Sequence, residues 1–129
     1  MVSIEEAGTM LDEIAETLPE MFYRELNGGV CLLPEIKREA ADDLYILGEY
    51  HVHPAMGRYI VIYYGSFAAL YAHLSPAAWR EELKRTLVHE FTHHVESLAG
   101  ARDLEIKDEQ DRARYRRTRR RPDVPESPP

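Results

Sequence analysis

The sequence predicts an α+β domain in which a small sheet of short strands packs against helices, one of them long and central. Three observations carry that expectation. The chain has 129 residues, 44% apolar and 30% charged, which supplies one hydrophobic core and leaves no room for a second. The run Tyr59-Ile60-Val61-Ile62-Tyr63-Tyr64, closed by Gly65, is β-branched and aromatic and reads as the best strand. Ser75-Pro76 at one end and Gly100 at the other bracket a stretch without Gly or Pro, the boundary signals of a long helix.

The elements follow in chain order. Ser3 and Glu6 make a capping box, and Ile4, Ala7, Leu11, Ile14 and Leu18 recur at helical spacing, predicting an amphipathic helix that ends at Pro19. A second, short helix starts at Pro19, with Phe22 and Leu26 on one face and Asn27-Gly28-Gly29 as its stop. Val30–Leu33 reads as a short strand, residues 34–43 give no pattern, and Leu44–Leu47 suits either strand or helix. A turn-rich loop is expected over His51–Arg58, then the strand 59–64 and a helical turn or two over Phe67–Leu74. On the long helix, Trp79, Leu83, Leu87, Val88, Phe91, Val95 and Leu98 point in several directions, so burial is expected around much of its circumference.

Charge divides the chain. Residues 1–111 carry 9 basic and 21 acidic side chains, whereas residues 112–129 carry 7 Arg against Asp123 and Glu126. The expected organisation is a domain over 1–111 followed by an Arg-rich, then Pro-rich, disordered tail over 112–129. Those arginines could neutralise the phosphates of a nucleic acid, remain a solvated tail, or lie on the acidic body and screen it. The longest apolar run is far short of the roughly 20 residues of a membrane span, and the first residues are acidic, so neither insertion nor a signal peptide is expected. The lone Cys31, flanked by Val30 and Leu32, forms no internal disulfide and fits a reducing cytoplasm.

The chemistry sits inside the long helix, at His89-Glu90-Phe91-Thr92-His93. Residues four apart on a helix lie about 40° from each other and about 6 Å along the axis, so two imidazoles can converge on one ion, usually Zn²⁺. Glu90, about 100° round from His89, stays out of the coordination shell and beside the position where water would lie. Two imidazoles and a carboxylate buried without partners would cost several kcal/mol, on the order of the usual polar desolvation penalty, and a metal removes that objection for the imidazoles. A catalytic zinc takes three protein ligands. Glu96 shares the histidine face but stands too far along, and is better placed to bind an imidazole N–H or to remain a solvated carboxylate. Beyond the helix end the candidates are Asp103, Glu105 and Asp108; if the chain reverses at Gly100, Glu105 has the best reach. His51 and His53 flank Val52 on the expected loop and are weaker candidates for touching metal or substrate, His73 and His94 have no evident partner, and Tyr50, Tyr59, Tyr63 and Tyr64 read as packing residues.

Leu47-Gly48-Glu49-Tyr50, the strand ending Ile62-Tyr63-Tyr64-Gly65, and Thr86-Leu87-Val88-His89-Glu90-Phe91-Thr92-His93-His94 together resemble the small bacterial zincin-like metallopeptidases, the minimal zincins. The resemblance covers residues 1 to about 110 and includes the helix pair joined at Leu18-Pro19. It implies one zinc held by His89 and His93, with Glu90 as the catalytic carboxylate. Many members carry Gly three residues after the second His and an Asp ligand three further on; here Glu96 and Ala99 stand at those positions, and Gly100-Ala101-Arg102-Asp103 repeats the spacing later. The family pattern therefore favours Asp103 as third ligand, whereas reach favours Glu105.

The resulting expectation is zinc-dependent hydrolysis of a peptide or unfolded protein, with Glu90 as general base. If the strand 59–64 forms an edge beside the site, it could hold an extended peptide by strand addition. Two rivals remain: a non-catalytic metal-binding module whose Arg-rich tail holds an anionic partner, and a zinc hydrolase of a non-peptide amide.

Overall fold

A computed structural model of the chain describes residues 1–41, 43–103 and 115–120, with 102–103 and 115–120 described as backbone. The domain is α+β, as expected. Its elements are α1 (Ile4–Glu16), a 3-10 turn (Glu20–Tyr23), β1 (Gly29–Leu33), β2 (Arg38–Glu39), β3 (Leu44–His53), β4 (Gly57–Tyr63), α2 (Tyr64–Tyr71), α3 (Pro76–Asp103) and β5 (Tyr115–Arg120). The sheet runs β1-β4-β3-β2, and β5 also pairs with β3. β1 is parallel to β4, while β2, β4 and β5 are antiparallel to β3.

Both helix caps form as predicted. Ser3 Oγ accepts from the Glu6 N–H at 3.1 Å and Glu6 Oε1 accepts from the Ser3 N–H at 2.8 Å, two orphan donors satisfied at the start of α1. Ser75 Oγ accepts from the Ala78 N–H at the start of α3. The core lies between the helices and one sheet face. Leu11 and Ile14 of α1, Leu47, Tyr50, Ile60 and Ile62 of the sheet, Phe67 of α2, and Trp79, Leu83, Leu87 and Phe91 of α3 are buried together. Ile46, Val61 and Tyr63 form a smaller buried group of their own.

Four expectations are corrected. The loop predicted over His51–Arg58 is the close of a hairpin: His51–His53 belong to β3 and Gly57–Arg58 to β4, leaving only residues 54–56 as turn. The strand was hidden because its alternation puts polar Glu49, His51 and His53 on one face. The strand at 59–64 is no edge, because β4 lies between β1 and β3. The helix does not stop at Gly100 but runs on to Asp103. An interior Gly costs only about 1 kcal/mol relative to Ala, and Ala99 and Ala101 flank it. Finally, the tail predicted as disordered over 112–129 contributes β5, because ladder hydrogen bonds are made by the backbone and an edge strand tolerates charge. The remainder of that tail, 112–114 and 121–129, lies outside the described residues. No described helix is long and apolar enough to cross a membrane.

Candidate metal centre on the long helix

α3 carries His89, Glu90 and His93 on consecutive turns. The two imidazoles meet with Nε2 to Nε2 at 2.9 Å, their rings edge to face with centroids 4.4 Å apart. Two nitrogens each about 2.0–2.1 Å from a tetrahedral Zn²⁺ would stand about 3.4 Å apart, so a rotation of about half an ångström at the ring tips admits the ion. The pair therefore fits a metal. Burial holds the His93 imidazole below its ordinary pKa, and nearby Glu96 opposes that shift, so His93 favours the neutral form that ligates. Glu96 Oε1 lies 3.6 Å from His93 Nδ1, the ring nitrogen turned away from His89, which is the side on which an outer carboxylate would orient the ring.

Glu90 is fully buried. Its Oε2 lies against Gly48 of β3: a Cβ added there would stand 3.3 Å from Glu90 Oε2, 3.1 Å from Thr86 Cγ2 and 3.2 Å from the Val61 carbonyl oxygen. A side chain there would press on Thr86, the Val61 carbonyl and the carboxylate by a few tenths of an ångström, and glycine lets the strand approach α3 without that crowding. Glycine at 48 thus shapes the slot in which Glu90 sits.

Among the described residues no group of three metal-ligating side chains occurs. Glu105 and Asp108 lie outside the described residues, and Asp103 is the last residue of α3, described as backbone. Because α3 continues past Gly100, the reach argument that preferred Glu105 loses its starting point.

The weaker histidine candidates are not at the pair. His51 Nε2 donates to Glu49 Oε1 at 2.9 Å, and its ring stacks on Tyr59. His53 Nδ1 accepts the N–H groups of Ala55 and Met56, closing the hairpin turn. Glu49 is fully buried on the same strand. Burial alone would raise its carboxyl pKa, but hydrogen bonds from His51, Tyr63 and Lys37 and the Lys37 charge outweigh it and hold the group at about 2. By strand alternation this cluster faces away from Gly48 and hence from Glu90.

His94 is the residue that sequence reasoning left without a role. It is fully buried, with Nε2 donating to the Arg24 carbonyl at 2.8 Å and Nδ1 accepting from the Tyr50 hydroxyl at 2.7 Å. The carbonyl can only accept, which fixes this tautomer. Arg58 Nη1 donates to the Tyr50 oxygen at 2.9 Å and to Ser97 Oγ at 2.5 Å. Tyr50 is therefore more than packing: it joins β3, β4 and α3. The available signal was spacing, because His94 is four residues from Glu90 and shares its inward face.

A family model described as zincin-like metallopeptidase matches residues 36–113. A solved structure, a conserved hypothetical protein from Thermo thermophilus, matches at 34% identity with a TM-score of 0.64, covering 77% of this chain and 99% of that one. No curated protein matches.

Proposed function

Because the chain belongs to the zincin-like metallopeptidase family, we propose that it hydrolyses peptide bonds with one zinc ion held by His89 and His93. The observation that carries this reading is the convergence of the two Nε2 atoms at 2.9 Å, one residue from a carboxylate enclosed between α3 and β3. Bound zinc would supply a Lewis acid that polarises the substrate carbonyl and makes water acidic enough to react near neutral pH. The third protein donor in this reading comes from Asp103, Glu105 or Asp108.

The chain's own residues do the rest. Glu90 takes the proton of the attacking water on a carboxylate oxygen and returns it to the leaving amine nitrogen. Gly48 and Thr86 wall its slot, so the carboxylate is held rather than left to sample solvent. His94, tied to Tyr50 and Arg24, fixes the helical turn that presents His93.

Metal analysis of the wild type beside His89→Ala and His93→Ala tests the centre, with about one zinc expected in the wild type and loss in both variants. Glu90→Gln is expected to keep the metal and lose peptide cleavage. Equal cleavage by that variant removes the general-base role. A wild type that holds zinc yet cleaves no member of a broad peptide library leaves a metal-binding module.

A further inference from the structure

β3 is the strand that touches the candidate centre, and its outer partner is the chain's own arginine-rich segment. Gly48 lies against Glu90, and in the β3–β5 register Gly48 stands opposite Arg117, with Glu49 opposite Arg116 and Tyr50 opposite Tyr115. The ladder is irregular between Ile46 and Gly48, beside the slot that holds Glu90. Opposed residues of antiparallel strands stand about 4.5–5.5 Å apart at Cα, so the β5 backbone passes one strand away from the carboxylate slot. β4 is enclosed by β1 and β3, which leaves the β5 side of β3 as the place where an extended chain meets this sheet next to α3.

We propose that this edge of β3 is a docking site for extended, arginine-rich peptides lying antiparallel to it, and that Tyr115–Arg120 occupies it in cis as a built-in competitor. Two observations select that chemistry. The segment seated there reads Tyr-Arg-Arg-Thr-Arg-Arg, and the rest of the domain, residues 1–111, carries 21 acidic side chains against 9 basic ones. Strand pairing supplies affinity for any extended backbone, and the acidic body supplies the preference for a cationic one. The peptide-hydrolase reading above gives such a ligand its meaning as substrate; the docking itself needs neither metal nor turnover.

The test uses the full chain and a fluorescent, capped Tyr-Arg-Arg-Thr-Arg-Arg peptide, with Tyr-Glu-Glu-Thr-Glu-Glu as its counterpart. Adjacent strand residues point their N–H groups to opposite edges, so R117P/T118P removes at least one donor that faces β3. A tethered segment acts at an effective concentration of about 1 mM, so a peptide of about 100 µM affinity should bind the variant about tenfold tighter than the wild type. Hydrogen exchange at 44–50 should quicken in the variant and slow again with the basic peptide. R116E/R117E/R119E/R120E, which keeps every backbone donor, should free the edge in the same way. Unchanged exchange in both variants overturns the occupancy, and equal binding of the two peptides overturns the charge preference. Protection of 44–50 that falls on dilution assigns the strand to a second copy and overturns the cis arrangement. Because none of these readouts involves catalysis, they test the docking alone, and the hydrolase reading stands or falls separately on cleavage of a broad peptide library by the zinc-loaded protein.

Discussion

Gly48→Ala is the sharpest probe of how the sheet holds Glu90. The added methyl carbon would lie 3.1 Å from Thr86 Cγ2, 3.2 Å from the Val61 carbonyl oxygen and 3.3 Å from Glu90 Oε2. Carbon pairs are comfortable at about 3.5–4.0 Å, so the contact with Thr86 is short by roughly half an ångström. The Val61 oxygen belongs to β4, pinned on both sides by β1 and β3, and cannot retreat alone. The strain must therefore move Thr86 and Glu90 on α3. Overpacking of this kind costs about 1–3 kcal/mol, which for a domain of this size lowers Tm by roughly 5–15 °C. Gly8→Ala is the matched control. Gly8 lies within α1, its added methyl would meet only Leu32 Cδ2 at an ordinary 3.7 Å, and alanine should be neutral or stabilising by up to about 1 kcal/mol. Calorimetry of both variants, with peptide cleavage measured at a temperature where both are folded, checks the argument. A Gly48→Ala protein as stable and as active as the wild type would refute the close approach of strand and carboxylate.

Further expectations concern the two polar clusters and the first cap. Glu49 titrates at about 2 in the folded protein against an ordinary value of 4.5, a difference of about 3 kcal/mol. The folded value is the lower one, so this stabilisation is complete above about pH 4.5 and is lost as pH falls from there towards 2; urea midpoints for the wild type and Glu49→Gln should converge over that window. Tyr50→Phe strips the donor from buried His94 Nδ1 and the acceptor from Arg58, and should cost about 1–3 kcal/mol in urea denaturation, with a shifted His94 ring resonance by NMR. Ser3→Ala removes half of the capping box and should cost about 1 kcal/mol, read as a lower thermal midpoint with α3 signals unchanged.

What was legible in the sequence was what depends on neighbours along the chain. The capping box at Ser3 and Glu6, the cap at Ser75 and the helical placement of His89, Glu90 and His93 are local, and they appear where the spacing puts them. What was missed depends on partners distant in sequence. The strand through His51–His53 is invisible until Glu49 is paired with Lys37, His51 and Tyr63, which satisfies polar groups that otherwise read as loop. His94 finds partners 44 and 70 residues away. Tyr115–Arg120 pairs through its backbone, about which side-chain composition says little. The end of α3 was misplaced because a glycine permits a helix to stop without forcing it to.

The contacts between sheet and helix also show what sets the direction of the two metal-facing histidines. Gly48 lies against Glu90, Tyr50 bonds His94, and Arg58, paired opposite Val52, bonds Ser97. Alternate residues of a strand rise about 6.6 Å and four residues of a helix about 6 Å, so successive rungs of β3 meet successive turns of α3 without losing step. Residues 90, 94 and 97 fall on one stripe of the helix, roughly 90° round from the stripe that carries 89 and 93. Three separate contacts thus fix the rotation of α3 about its axis, and a slip of one residue would swing the histidine pair about 100°. The orientation of the centre is set by the sheet at Gly48, Tyr50 and Arg58, none of which needs to touch a metal.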